Sequence, residues 1–522
     1  MSLREGRGPL FTDHYQLAMA QVHVREGLAD RLAQFDYFYR SNPDYGSHQA
    51  GFCVATGLGP LLEWMQDVHV TDAEVDALSR FTTSTGAPVF EPAFLDWLAE
   101  HGHFRDLVLE AVPEARVVHP HLPIVVVTGP LPQAQLLETA LLNMLNYPTL
   151  IATKAARIVK SAKGAPTLEF GMRRGPGVAV DEAARAALVG GFVSTSNVQA
   201  SVALGVQSAG THAHALIQAW MADGRGELEA FRAFARSAPD DCVLLVDTID
   251  TLRSGMPNAI TVFEELREAG HTPGGVRLDS GDLAYLSVQA AKMLDEAGFT
   301  EARIVLSSEL DELTIWQILT QMADEADREG VDWPRLRGRM TYGVGTRLIT
   351  SEGDGALDGV YKLVGLQDEH GEWQPAVKVS ENPVKVPIPG RKRAWRVYDT
   401  RGHATADVIT EPDATPFADG QPMRLHHPHR DGAFRTIAPS EVSRVEPLHE
   451  VVFDGRTTPP TVSPSASGDL ATLRRRCTDD IATLDAGVRR LVNPHTYHVS
   501  LDDRTKAVQR ELVARARSSV TG

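Results

Sequence analysis

The sequence predicts an α/β protein built on an irregular (β/α) barrel, with a flanking mixed α/β domain and a C-terminal extension. Three observations predict it. Short apolar segments recur through the middle of the chain, and most gaps between them carry helical patterns. After residue 360 that rhythm gives way to short β segments broken by Gly and Pro. The length, 522 residues, accommodates several domains at roughly 100–200 residues each.

The elements follow in order. Residues 12–30 read as a helix, with Thr12 or Asp13 as cap and Leu17, Ala20 and Val24 on one face. Residues 33–40 alternate as a strand, Leu58–Val68 is apolar at helical spacing, and Ile124–Thr128 is strand-like. Gln133–Leu145 and Ile151–Ala162 read as two helices. Strand-like segments then come at Thr167–Gly171, Gly191–Thr195, Val243–Asp247, Val276–Asp279, Arg303–Ser307 and Thr341–Gly345, with helical patterns such as Asp282–Ala297 between. Strands alternating with helices make parallel βα units, and a long series of them makes a barrel. Their uneven spacing makes it an irregular one.

Further on, Tyr361–Leu366, Ala376–Ser380 and Ala394–Asp399 read as β segments. Residues 454–468 form a Pro/Ser/Thr-rich exposed loop, and Leu470–Ser518 reads as helices around the strand Tyr497–Leu501. The expected division is an N-terminal α/β domain at 1–130, completed by part of 360–450, and a barrel with the active site at 131–359. A β-rich segment at 360–453 packs on the N-terminal domain, and 454–522 forms the loop and helical extension.

Composition narrows the function. Hydrophobic residues at 43% and charged residues at 23% are ordinary for a folded protein. A net charge of -17 argues against a nucleic-acid partner and leaves room for a local basic pocket. Cys53, Cys242 and Cys477 are far apart and form no C-x-x-C pair, so neither a disulfide framework nor a zinc site is expected, as suits a reducing cytoplasm. The N-terminus has no signal-peptide core, and no apolar run approaches the roughly 20 residues of a membrane helix.

The chemistry gathers where the barrel strands end, the face that carries barrel active sites. Glu169-Phe170-Gly171-Met172-Arg173-Arg174 offers a ring to stack on and a guanidinium fork for a carboxylate. Gly190–Asn197 presents backbone N–H groups and hydroxyls at a strand-to-helix turn, although Ser196 or Asn197 equally serves as a helix cap. Gly210-Thr211-His212-Ala213-His214 carries two histidines at i and i+2, a spacing unsuited to a metal pair on one helix face. One of them is a candidate nucleophile or proton carrier. Asp247, ending an apolar segment, is a natural partner for a histidine ring or a cap for the next helix. Strand alternation places Arg277 and Asp279 on one face, as a cation and a hydroxyl acceptor or as a structural ion pair. Tyr342-Gly343-Val344-Gly345-Thr346 fits the phosphate-binding turns of late barrel strands. The stretch from Lys378 through Lys385 to Arg391, Lys392 and Arg393 is locally basic, and His426, His427 and His429 form a cluster read as a solvated turn rather than a metal site.

In order and content these motifs resemble the nicotinate phosphoribosyltransferases. The resemblance runs from Leu10–Leu17 and Phe35–Arg40 through Glu169–Arg174, Gly191–Asn197, Gly210–His214, Arg277–Asp282 and Tyr342–Thr346 to Asn493–Tyr497. It implies transfer of phosphoribosyl from phosphoribosyl pyrophosphate to nicotinate, giving nicotinate mononucleotide and pyrophosphate. It also implies ATP as co-substrate, Mg²⁺, a homodimer with shared sites, and no protein-bound metal centre. Under the resemblance Phe170 stacks on the pyridine ring, Tyr15 of a second copy closes the sandwich, and Arg173 with Ser196 meets the ring carboxylate. His214 is the phosphorylated histidine, Asp247 its orienting carboxylate, and Arg277 with Asp279 meets ring, ribose and pyrophosphate. Thr195, Gly345, Thr346, Arg40, Lys378, Lys385 and Arg391 face phosphate groups. The chain departs from the family at Ala215, where Ser or Glu is usual, and at the 454–468 loop and His426–His429. A nicotinamide phosphoribosyltransferase is the nearest alternative. It would carry an aspartate at position 196, whereas a serine hydroxyl can donate to a carboxylate. A non-catalytic nucleotide sensor on the same barrel is the other.

Overall fold

In the computed structural model, residues 154–355 hold six short parallel strands whose side chains are largely apolar, as burial on both faces requires. They are β1 (Thr167–Glu169), β2 (Ser194–Thr195), β3 (Val243–Leu245), β4 (Gly275–Leu278), β5 (Arg303–Leu306) and β6 (Met340–Val344). The structure describes residues 7–378, 386–464, 466 and 468–521. Contacts divide the chain into two units, Lys154–Gly355 and a second made of Met1–Thr153 with Ala356–Gly522.

The strands run in the order β2-β1-β6-β5-β4-β3, every pairing parallel. Sequence neighbours are spatial neighbours, and β6 returns to β1, which is the winding of an α/β barrel. The irregularity lies between β2 and β3, which do not pair. There Thr195 forms a parallel bridge with Ser208, and the Ala209 N–H donates to the Thr195 carbonyl at 2.9 Å. On the other side the Leu245 N–H donates to His212 Nε2 at 3.1 Å. The Ser208–His212 segment therefore stands where another strand would be.

Helix caps hold the loops short at the strand ends. Asn197 accepts from the Ala200 N–H, Asp282 from Ala284 and Tyr285, and Asp311 from Leu313 and Thr314. Beneath them Lys154 and Arg157 converge on Glu312 at 3.1 and 2.9 Å, all three buried.

Among the described residues the other unit has two large sheets and a two-stranded one, Cys53–Val54 with Val117–Val118. One is antiparallel, in the order Trp373–Pro375, Gly359–Gln367, Leu32–Tyr39, Val125–Pro130, Val108–Ala111, Glu450–Asp454, Thr461–Val462. Phe35 and Tyr361 stack across its centre with ring centroids 4.8 Å apart. The second runs Phe434–Ile437, Met423–His426, Val499–Leu501, Ala404–Thr410, Arg393–Asp399, Val442–Pro447.

Three local readings shift. The first helix is His14–Arg25, because Gly27 adopts a left-handed φ of 72° and ends it. The two helices expected on either side of Pro148 are Leu131–Leu136 and one continuous helix, Glu138–Ser161. Pro148 withdraws a donor from the Met144 carbonyl, and Gly57 packs against that carbonyl so closely that a Cβ would lie 2.0 Å from it. Within the expected 454–468 loop, Thr461–Val462 pairs with Phe453 and Asp454 as a short strand. Among the described residues no helix is long and apolar enough to cross a membrane.

The unit's interior also contains charge. Arg396 is fully buried, holds Asp407 in a fork at 2.8 and 3.0 Å, reaches Asp480 at 3.1 Å and donates to the Val117 carbonyl. Asp480 also accepts from the Val117 N–H and pairs with Arg116 at 3.0 Å. Burial pushes the Asp480 carboxyl up, but Arg396 and Arg116 outweigh it and hold it below its ordinary value. A carboxylate with a depressed folded value stabilises the fold above its unfolded value, and that contribution disappears as pH falls through the folded one. Asp480→Asn should cost about 3 kcal/mol at neutral pH, the low end for a broken buried pair because Asp407 still neutralises Arg396. Urea titrations from pH 7 down to about 3 should show its stability falling less steeply with acid than that of the parent protein.

Candidate active site

Parallel strands of a barrel end on one rim, and the loops there are free to carry chemistry. Glu169 ends β1 and Thr195 ends β2, so the segments after them lie side by side. The Phe170 N–H donates to the Val344 carbonyl at 2.8 Å, which places its half-buried ring beside β6. Gly343 makes room for that ring: a Cβ there would sit 2.5 Å from two ring carbons. The Arg277 guanidinium lies 5.7 Å from the ring centroid, a cation–π distance. Arg173 is exposed on the 3₁₀ turn Met172–Arg174, and Ser196 is half-buried with its N–H on the Glu169 carbonyl at 2.8 Å. Thr195 is buried, and its hydroxyl donates to the Glu169 carboxylate rather than opening to the rim.

Beyond the ring lies a polar cluster. Arg277 spreads its donors over three partners: Ser307 Oγ at 2.8 Å, Thr211 Oγ1 at 3.2 Å and Asp279 Oδ1 at 2.9 Å. Ser307 also donates to Asp279. Asp247 Oδ2 accepts from the Asp279 N–H at 3.1 Å and the Ser280 hydroxyl at 2.5 Å, while its buried Oδ1 has no hydrogen-bond partner. His214 opens the helix His214–Ala222. Its Nδ1 lies 3.0 Å from Thr248 Oγ1, and its Nε2 lies 4.0 Å from Asp247 and 3.9 Å from Asp279. The direct hydrogen bond to the ring thus comes from Thr248, and the two carboxylates stand a little farther off. His212 faces the other way, packed against Phe231 and Phe234. Burial lowers its pKa to about 4, which keeps the ring neutral as an acceptor for Leu245.

Gly345 precedes the short helix Thr346–Ile349, and Thr346 is exposed at its start. Arg347 is tied to Asp311 at 2.8 Å. Tyr15, Arg40, Lys378 and Arg391 belong to the other unit. There Tyr15 is half-exposed, Arg40 pairs with Asp358 at 3.1 Å, Lys378 is exposed, and Arg391 stacks on Trp373. Lys385 lies outside the described residues. Lys392, from the same basic run, is buried against Asp36. His426 bonds Asp503, His427 accepts backbone N–H groups from His429 and Arg430, and His429 meets His121 at 3.1 Å. Among the described residues no group of three His, Cys, Asp or Glu could hold a metal ion.

Comparison with known proteins shows the family. Residues 10–146 match the nicotinate phosphoribosyltransferase N-terminal domain, 166–366 the nicotinate phosphoribosyltransferase family, and 391–509 its C-terminal domain. A nicotinate phosphoribosyltransferase of Bacillus subtilis is 37% identical over 509 residues, covering 95% of this chain and 93% of the relative. The chain belongs to the nicotinate phosphoribosyltransferase family. It is an enzyme of that kind. The human nicotinate phosphoribosyltransferase is 30% identical, with 98% of each chain covered. A crystal structure of human nicotinic acid phosphoribosyltransferase superposes with a TM-score of 0.76 at 28% identity, covering 96% of this chain and 100% of that one. A nicotinate-nucleotide pyrophosphorylase from Pyrococcus furiosus shares the fold, with a TM-score of 0.61 at 19% identity.

Gly343→Ala should displace the Phe170 ring while leaving the buried strand pairing of β6 intact. Steady-state kinetics with nicotinate as acceptor should then show the nicotinate KM rising by roughly tenfold or more, since displacements of about 1 Å at a site are costly. An unchanged KM would show that the ring's placement does not matter.

Proposed function

We propose that this chain transfers the phosphoribosyl group of phosphoribosyl pyrophosphate to nicotinate, forming nicotinate mononucleotide and releasing pyrophosphate for NAD synthesis. The observation that supports it most is the junction of Phe170, Arg277, Asp279 and His214 on one rim. The pyridine ring lies against Phe170, with its carboxylate toward Arg173 and the Ser196 hydroxyl. The ring nitrogen attacks the ribose C1 carbon as the bond to pyrophosphate breaks. Arg277 offers charge to the departing phosphates, and Asp279 accepts from a ribose hydroxyl. Gly345 and Thr346 receive the 5′-phosphate. Arg40, Lys378, Lys385 and Arg391 are assigned to phosphate groups on the family resemblance alone, which also supports a homodimer in which Tyr15 of a second copy faces Phe170, and a cytoplasmic enzyme.

ATP phosphorylates His214. The Thr248 hydroxyl at Nδ1 and the two carboxylates near Nε2 fix the imidazole and stabilise positive charge on it. Mg²⁺ fits this donor set, because the buried Asp247 Oδ1 has no hydrogen bond, and Asp247 with Asp279 would hold it. It would offset the charge of the phosphate groups.

Nicotinate should be preferred over nicotinamide by at least roughly tenfold in kcat/KM, about 1.4 kcal/mol, which one charge-assisted contact supplies. Pyrophosphate release with the two bases measures it, and equal values would favour the nicotinamide enzyme. Incubation with γ-labelled ATP should give an acid-labile, base-stable label that His214→Ala abolishes and His212→Gln retains. Full labelling of His214→Ala would refute the assignment.

A further inference from the structure

One buried carboxylate joins the two segments that hold the pyridine ring in this reading. Glu169 is the last residue of β1 and is 1% exposed. Its Oε1 accepts the Gly171 N–H, and its Oε2 accepts the Thr195 hydroxyl. Thr195 Oγ1 in turn accepts the Asn197 N–H at 3.0 Å, and the Glu169 carbonyl accepts the Ser196 N–H at 2.8 Å. The carboxylate thereby fixes the peptide that follows Phe170 and, through Thr195, the peptide that follows Ser196. Gly171 also starts the turn that carries Arg173, since its carbonyl accepts the Arg174 N–H at 2.8 Å. The segments that carry the aromatic wall, the guanidinium and the hydroxyl wall all bond to Glu169, directly or through Thr195.

The arrangement is expensive. Among the described residues Glu169 has no cation within ion-pair distance, and burial pushes its carboxyl above the ordinary value. An apolar residue or an amide would avoid that cost. A carboxylate accepts from both segments at once, whereas an amide would present N–H₂ to one of them and force the Thr195 hydroxyl to turn from donor to acceptor.

We propose that Glu169, acting through Thr195 and Gly171, is the positioning residue that sets the gap between Phe170 and Ser196 and so determines affinity for the pyridine substrate. The proposal rests on the functional reading above.

Glu169→Gln and Thr195→Val, tested as full-length enzyme, should each raise the nicotinate KM at least about tenfold, as misplacement of a binding wall does. The KM for phosphoribosyl pyrophosphate and the labelling of His214 by ATP should stay within about twofold. Thr195→Ser, which keeps the hydroxyl, should recover most of the nicotinate KM lost in Thr195→Val. Should Glu169→Gln fail to fold, the two Thr195 variants decide, since both retain the carboxylate. An unchanged nicotinate KM overturns the proposal. So does a parallel rise in the KM for phosphoribosyl pyrophosphate, which would make Thr195 a phosphate ligand instead. If the unaltered enzyme does not turn over nicotinate at all, the functional reading falls. If it does, and the variants fail as described, only the role of Glu169 falls.

Discussion

The guanidinium of Arg277 is the interaction on which the rim depends. One planar fork reaches Asp279 on its own strand, Ser307 at the end of β5 and Thr211 in the segment that stands in for a missing strand. A lysine has no such fixed geometry and could not serve all three at once. Through Asp279 the same fork orders Ser307, and the Asp279 backbone in turn holds Asp247. His214 sits within 4.0 Å of both carboxylates. Phe170 packs below the cation. Acid, base, ring and strand end are therefore not separate sites but neighbours of one side chain.

How much of this was legible depends on the range of the cause. Arg277 and Asp279 were readable because alternation along a strand is local and puts both on one face. Phe170, Asp247 and the Gly345–Thr346 turn were readable because barrel strands announce their ends by a change from apolar to polar residues. Thr248 was missed although it adjoins Asp247. Which of two adjacent groups meets an imidazole is settled by the helix that carries His214, an element with no sequence tie to residue 248. The Glu169–Thr195 bond was invisible for the same reason: 26 residues separate the pair, and only the parallel pairing of β1 and β2 joins them. Within the basic run at 391–393, composition alone could not say that Lys392 turns inward to Asp36 while Arg391 stays out on Trp373. Pro148 misled, since it nonetheless sits inside one continuous helix, Glu138–Ser161, with Gly57 packed closely against the freed Met144 carbonyl.

Charge is handled differently in the two units. In the unit of residues 1–153 and 356–522, Arg396, Asp407 and Asp480 are buried, fully bonded and remote from solvent, a device that fixes which strands meet. At the barrel rim the ion pairs are partly open and one carboxylate oxygen, on Asp247, is left without a donor. An open carboxylate oxygen at a rim is one that a bound group can satisfy.

The seam between β2 and β3 has a further meaning. A ladder of backbone hydrogen bonds resists opening cooperatively, but here the ring is completed by one bridge at Ser208 and one imidazole acceptor at His212. Local opening costs least where such bonds are fewest. The next helix along from this seam begins at His214. The barrel is thus stitched most loosely beside His214, at the edge strand β2 whose end carries Ser196.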